Sequence, residues 1–219
     1  DWFNSGRSRG RTHPKGIVDA VNHVKNMSDV TVDENKIFVA GLSAGGYLAV
    51  CMAADYPDVF AGAAVFAGGP HGCDTGCMGS PAPGNADHQV VHNEYKSWWT
   101  DASKRKPRMI IWHGDTDYIV NYSNMDYLMQ QWTGALGVDK NADWTGTLNG
   151  DTQHEYKEYH DGSGKAVVAT ITLKGMGHAV PVNPGSGNKE GGAVVGQYAK
   201  DQGVYGPYYS IKWLFTGKK

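Results

Sequence analysis

The sequence predicts an α/β protein, a mostly parallel sheet with helices on both faces arranged as three layers. Two observations carry this. Short β-prone runs alternate with longer segments of helical period along most of the chain, which favours strand–helix–strand units over hairpins. The chain has 219 residues, 40% of them hydrophobic and 19% charged, enough for one such domain to bury a sizeable core. A single domain over residues 1–219 is expected.

The elements follow in order. The opening DWFNSGRSRGRTHP has no apolar period and no charged-then-apolar leader, so the chain is expected to begin within a larger protein. From Pro14 to Asn26, Ile17, Val18, Val21 and Val24 recur at helical spacing and predict a surface helix. Asp33-Glu34-Asn35 makes a turn into Lys36–Ala40, read as a buried strand that stops at glycine. After Ser43 the run GGYLAVCMAADYP predicts a helix ending near Pro57, and Ala61–Phe66 predicts a second strand. Ala67 to about Gly84 is rich in glycine and proline and predicts a long ordered loop of the kind that lines sites. His88–Trp99 reads as helix and Arg108–Trp112 as the third strand. Ser123 is placed to cap a helix running to about Gly137. Asn141–Asp151 is polar and glycine-rich. Glu155–Tyr159 and Val167–Leu173 flank Asp161-Gly162-Ser163-Gly164, as a hairpin or two neighbouring strands. Gly185–Gly196 reads as irregular, and a short helix carries Ile211, Trp213, Leu214 and Phe215.

Charge and cysteines narrow the function. With 20 basic and 22 acidic residues the formal net charge is −2, which gives no broad attraction to nucleic acid or anionic membranes. No stretch approaches the roughly 20 apolar residues of a membrane helix. A neutral substrate is expected, with neither nucleic acid nor membrane as partner. Cys73 and Cys77 sit in the loop-like run GGPHGCDTGCMGSPAPG, where a short disulfide would stiffen a segment without regular structure and favours an oxidising compartment. A metal site from Cys73, Cys77 and His71 is the competing reading, but it lacks a second ligand pair. Cys51, in an apolar helical stretch, reads as a buried thiol.

The sharpest local signal is Gly41-Leu42-Ser43-Ala44-Gly45, which joins a predicted strand to a predicted helix in one abrupt step. With 30 glycines in the chain the pattern alone is weak, and its position gives it weight. A nucleophile on so tight a turn sits at strained backbone angles, and side chains at Gly41 or Gly45 are expected to collide with neighbouring backbone. The helix starting at Ala44 would aim its amides and positive dipole end at a developing oxyanion, with Ala44 N–H as first donor. A serine hydroxyl needs a positioned base. His178, in Lys174-Gly175-Met176-Gly177-His178 directly after a strand, is the candidate. His113 reads as a brace for its own turn, and His71, His154 and His160 as surface residues or loop ties. Asp115 and Asp117, both just past the third strand, compete for the carboxylate that orients the base. Ser43, Asp117 and His178 are 74 and then 61 residues apart, in the order serine, acid, histidine that such folds use.

The sequence resembles the polyhydroxybutyrate-depolymerase-like esterases, a group that includes feruloyl and acetylxylan esterases. The resemblance rests on Asp1-Trp2-Phe3, Arg9-Gly10-Arg11, VAGLSAGG from Val39 to Gly46, and Tyr56-Pro57-Asp58-Val59-Phe60-Ala61. It continues through Phe66-Ala67-Gly68-Gly69-Pro70 with Cys73, His113-Gly114-Asp115-Thr116-Asp117-Tyr118-Ile119-Val120 and Gly175-Met176-Gly177-His178-Ala179. It implies an α/β-hydrolase fold, a Ser43–Asp117–His178 triad with the acid on Asp117, and acyl transfer through an acyl-enzyme without metal or organic cofactor. The implied substrate is a short-chain hydroxyalkanoate polyester. A plant cell-wall feruloyl or acetylxylan ester is the alternative, and a polymer-binding remnant is the reading without catalysis. Trp112 and Tyr47 are candidates for an aromatic site lining or for packing, and secretion is expected. Family members carry earlier strands and an HGC-type loop that supplies the second oxyanion donor. Their absence predicts an N-terminally truncated chain or a partner chain, an exposed sheet edge, and a cost of something like 10²–10³-fold in rate if the donor is not replaced. A cysteine on that side is an alternative partner for one of the cysteines here.

Overall fold

The structure is a computed structural model that describes residues 8–148, 150, 153–187, 189–191 and 195–218. Asp1-Trp2-Phe3 and part of Gly185–Gly196 lie outside the described residues. In chain order the elements are α1 (Thr12–Lys25), β1 (Phe38–Leu42), α2 (Ala44–Asp55), β2 (Gly62–Phe66), α3 (Gly76–Gly79), α4 (Gln89–Glu94), α5 (Lys96–Trp99) and β3 (Arg108–Gly114). They continue with α6 (Ser123–Leu136), β4 (Trp144–Thr147), β5 (His154–His160), β6 (Ala166–Leu173), β7 (Val180–Val182), β8 (Ala199–Asp201) and α7 (Gly206–Thr216).

The main sheet has the order β1-β2-β3-β6-β5-β4. The pairs β1–β2, β2–β3 and β3–β6 are parallel, while β5 runs antiparallel to both β4 and β6. The parallel strands β2, β3 and β6 are buried on both faces, as their unbroken apolar runs require. Alternate residues sort to opposite sides. Ala63, Val65, Met109, Ile111 and Val168 join the core under α2 and α6, with Leu128 and Trp132. Ala64, Phe66, Ile110, Trp112 and Ile171 pack under α7 with Trp213 and Leu214. Trp112, Trp132 and Trp213 are fully buried, each contributing roughly 1.5–3 kcal/mol or more.

Several sequence expectations shift. β1 is a half-buried edge strand and not a buried one, because among the described residues β2 is its only neighbour and Ala40 faces solvent. An apolar cleft of about 420 Å³, lined by Phe38, Leu42, Phe66, Val180 and Leu214 among others, runs between this edge and α7. The single helix expected over His88–Trp99 is two short ones, broken where Tyr95 takes φ −142° and ψ 69°. Ser123 does not cap α6. Its amide and hydroxyl both donate to the Asn121 carboxamide oxygen, an Asx turn one step earlier. Gly137 ends the helix at φ 70°, as expected. The polar stretch after Asn141 holds strand β4, recognisable only by its pairing with β5. Glu155–Tyr159 and Val167–Leu173 form the antiparallel pair β5–β6, and β7 and β8, on either side of Gly185–Gly196 in the chain, make a small parallel sheet that was not expected.

Candidate active site

Ser43 stands between β1 and α2 at φ 57° and ψ −123°. A non-glycine residue there costs on the order of 1–3 kcal/mol, which the surrounding backbone must enforce. Ser43 N–H donates to Phe66 O at the end of β2 (2.9 Å), and Tyr47 N–H donates to Ser43 O to open the helix (3.0 Å). A Cβ on Gly41 would lie 2.1 Å from Gly45 O, so this position admits glycine alone. Gly45 itself has open space around it, contrary to expectation. The second crowded position is Gly46, where a Cβ would fall 3.0 Å from Phe66 O. The difference arises because Gly46 is on the helix face turned to β2, whereas Gly45 faces outward. Ala44 is the first residue of α2, so its amide belongs to the helix-initial set that has no carbonyl one turn back.

The other half of the site comes from the carboxyl ends of β3 and β6. Asp115 N–H donates to Leu173 O and Thr116 N–H to Met176 O (3.2 Å each). A Cβ on Gly114 would meet Met176 O at 2.0 Å, so a glycine ends β3 where the two loops touch. His178 Nδ1–H donates to Asp117 Oδ2 at 2.7 Å, both side chains buried. Asp117 Oδ1 accepts from the amides of Ile119 and Val120 (2.9 Å each). Burial pushes the Asp117 carboxyl up, but contacts from His113 and His178 and the two amides outweigh it and hold it well below the usual carboxylate range. Asp115, the rival acid, instead accepts from Gly175 N–H (2.7 Å). Tyr47, one helical turn beyond Ser43, shares a buried cluster with Val120 from the turn after β3. Its phenol is raised by burial first and then by the negative charge of Asp117.

Neither aromatic named as site lining reaches the surface. Trp112 is 1% exposed, donates from Nε1 to Ser210 Oγ (2.8 Å) and stacks on Phe66. Tyr47 is 2% exposed and donates to Asn124 Oδ1 (3.0 Å). Both are packing residues. Exposed aromatics lie beside Asp117 and His178 instead. Tyr118 follows Asp117 and is 88% exposed, and Tyr198 sets its ring edge-on to His178, centroids 6.3 Å apart. Tyr198 lies in a stretch without apolar period, so no sequence signal marked it. The Cys73–Cys77 disulfide is formed, which removes both sulfurs from a metal site with His71. Cys51 is buried. His71 and His154 are buried rather than superficial. His71 ties its loop to Glu94 (2.8 Å) and to Gln131, while His160 contacts Glu158 (3.1 Å). Asp55, His71 and Glu94 have ligand-type atoms within 4.8 Å of one another, a cluster the sequence did not suggest. Among the described residues no helix is long and apolar enough to cross a membrane.

Comparison with known proteins identifies the relatives of the chain. Residues 2–133 match the model of the prolyl oligopeptidase family. Over 217 residues the chain is 35% identical to poly(3-hydroxyalkanoate) depolymerase C of Paucimonas lemoignei, covering 95% of this chain and 50% of that protein. It is 31% identical over 199 residues to feruloyl esterase B of Talaromyces stipitatus, covering 83% and 53%. The chain thus spans about half the length of these curated relatives. The structure of an acetyl xylan esterase from Aspergillus awamori superposes with a TM-score of 0.68 and 25% identity, over 81% of this chain and 67% of that one. The chain therefore has the α/β-hydrolase fold and belongs to the prolyl oligopeptidase family, and it resembles polyhydroxyalkanoate depolymerases and feruloyl and acetylxylan esterases.

Proposed function

We propose that this chain is the catalytic domain of a serine esterase that cleaves short-chain hydroxyalkanoate polyesters. The observation that carries the reading is the buried 2.7 Å bond from His178 to Asp117, at the same end of the sheet as the strained Ser43 turn. With Nδ1 committed to Asp117, Nε2 of His178 is the nitrogen left to take the Ser43 proton. Ser43 Oγ then bonds to the ester carbonyl carbon, and the Ala44 amide faces the negative charge that develops on the carbonyl oxygen. His178 returns the proton to the departing alcohol, leaving an acyl-enzyme. Water, deprotonated by the same imidazole, releases the acid and restores Ser43. No step needs a metal.

The polyester reading is supported by the identity to a poly(3-hydroxyalkanoate) depolymerase along 95% of the chain. A cell-wall ester is the second reading, favoured by the superposition on an acetyl xylan esterase. The disulfide supports an oxidising, extracellular setting. Hydrolysis of p-nitrophenyl butyrate, with intact mass after a fluorophosphonate probe, tests the chemistry. Turnover and a single adduct, both lost in Ser43→Ala, are expected. Folded protein with neither would leave a polymer-binding remnant as the reading. Rates on a hydroxybutyrate oligomer, methyl ferulate and acetylated xylan then separate the substrates.

A further inference from the structure

His113 lies on β3, four residues before Asp117, and is fully buried. Its Nε2 bonds to Val120 O at 2.9 Å. A carbonyl only accepts, so Nε2 carries the hydrogen. Nδ1 is buried with no partner among the described residues, which suits a bare lone pair and not a second N–H. The ring is thus the neutral Nε2–H tautomer. Tyr122 holds it edge-on, centroids 5.9 Å apart, and Tyr122 is fixed in turn by a bond of its hydroxyl to Thr172 Oγ1 (2.7 Å) on β6.

The same N–H edge lies 3.4 Å from Asp117 Oδ2, the oxygen that accepts from His178. Val120, whose carbonyl His113 holds, gives its own amide to Asp117 Oδ1. The result is a closed circuit of imidazole, peptide and carboxylate that leaves Asp117 one orientation. We infer that His113 is a positioning residue for the acid. As a neutral imidazole it pins the Val120 peptide and, through it, the plane of the carboxylate that His178 needs. Asp117 then faces two imidazoles with different tasks, one that fixes it and one that moves a proton. The depressed Asp117 carboxyl is in keeping with this arrangement.

This rests on the esterase reading, and its test has one arm that does not. His113→Leu fills similar volume without an N–H, whereas His113→Gln can offer an amide N–H near the former Nε2. On p-nitrophenyl butyrate, His113→Leu should lose about tenfold in kcat with KM within about twofold of the parent, and His113→Gln should regain most of the loss. The downfield proton resonance of the His178–Asp117 bond should shift or broaden in His113→Leu and return in His113→Gln. Equal behaviour of two folded variants, or parental kcat and resonance in His113→Leu, would overturn the inference and leave His113 as packing. If the parent shows no turnover the esterase reading fails first, and the resonance alone decides whether His113 fixes Asp117.

Discussion

The two halves of the site are built by opposite means. The Ser43 turn is shaped by exclusion: Gly41 leaves no room for a side chain and Gly46 very little, and a serine is held at positive φ by backbone around it. The acid–histidine half is shaped by attraction, with Asp117 taking hydrogen bonds from two amides and from His178, and His113 alongside. A part held by exclusion fails when atoms are added. One held by attraction fails when a donor or acceptor is removed.

The largest effect should come from removing the attraction. Asp117→Asn should lower kcat by about 10⁴-fold while leaving KM within a few-fold, measured on p-nitrophenyl butyrate, because an amide favours the wrong His178 tautomer. The same variant sharpens the picture in stability. The Asp117 carboxyl is depressed in the fold, so its contribution is full above the unfolded value near 4 and is lost as pH falls through the lower folded value. Acid unfolding of the parent below about pH 4 should therefore be steeper than that of Asp117→Asn.

Adding one carbon should break the other half. Gly41→Ala places a Cβ 2.1 Å from Gly45 O and should cost more than about 3 kcal/mol in urea unfolding. An intact urea midpoint would show that the turn is less rigid than its sterics imply. Removing the Cys73–Cys77 link, in Cys73→Ser with Cys77→Ser, should cost about 2 kcal/mol, the amount expected for so short a loop. The smallest effect belongs to Gly45→Ala. It meets nothing within 4 Å inside a helix and should change stability by less than about 0.5 kcal/mol or raise it by up to about 1 kcal/mol. A large loss there would return Gly45 to the crowded positions.

What the sequence made legible follows the same division. The parallel strands were readable as apolar runs, and the Ser43 turn because glycine marks tight geometry by its presence. Position in the chain left two acids open, the family resemblance favoured Asp117, and the fold separates them, sending Asp115 to Gly175 N–H and Asp117 to His178. Trp112 and Tyr47 were next to the right residues in the chain, but strand and helix geometry turn them inward. β4 was illegible because four residues with one strong side chain, Trp144, acquire their identity only by pairing with β5. The edge position of β1 was equally hidden, since local pattern records apolar character and not the number of neighbours.

The contact between Gly114 and Met176 O has a consequence for protein engineering. The turn after β3 and the loop after β6 are far apart in the chain, yet a 2.0 Å clash forbids any side chain at their junction, and Thr116 is hydrogen-bonded across it. They behave as one cassette. Recombination between relatives should exchange both segments together, and crossovers that separate them should yield folded chimaeras with a misaligned imidazole.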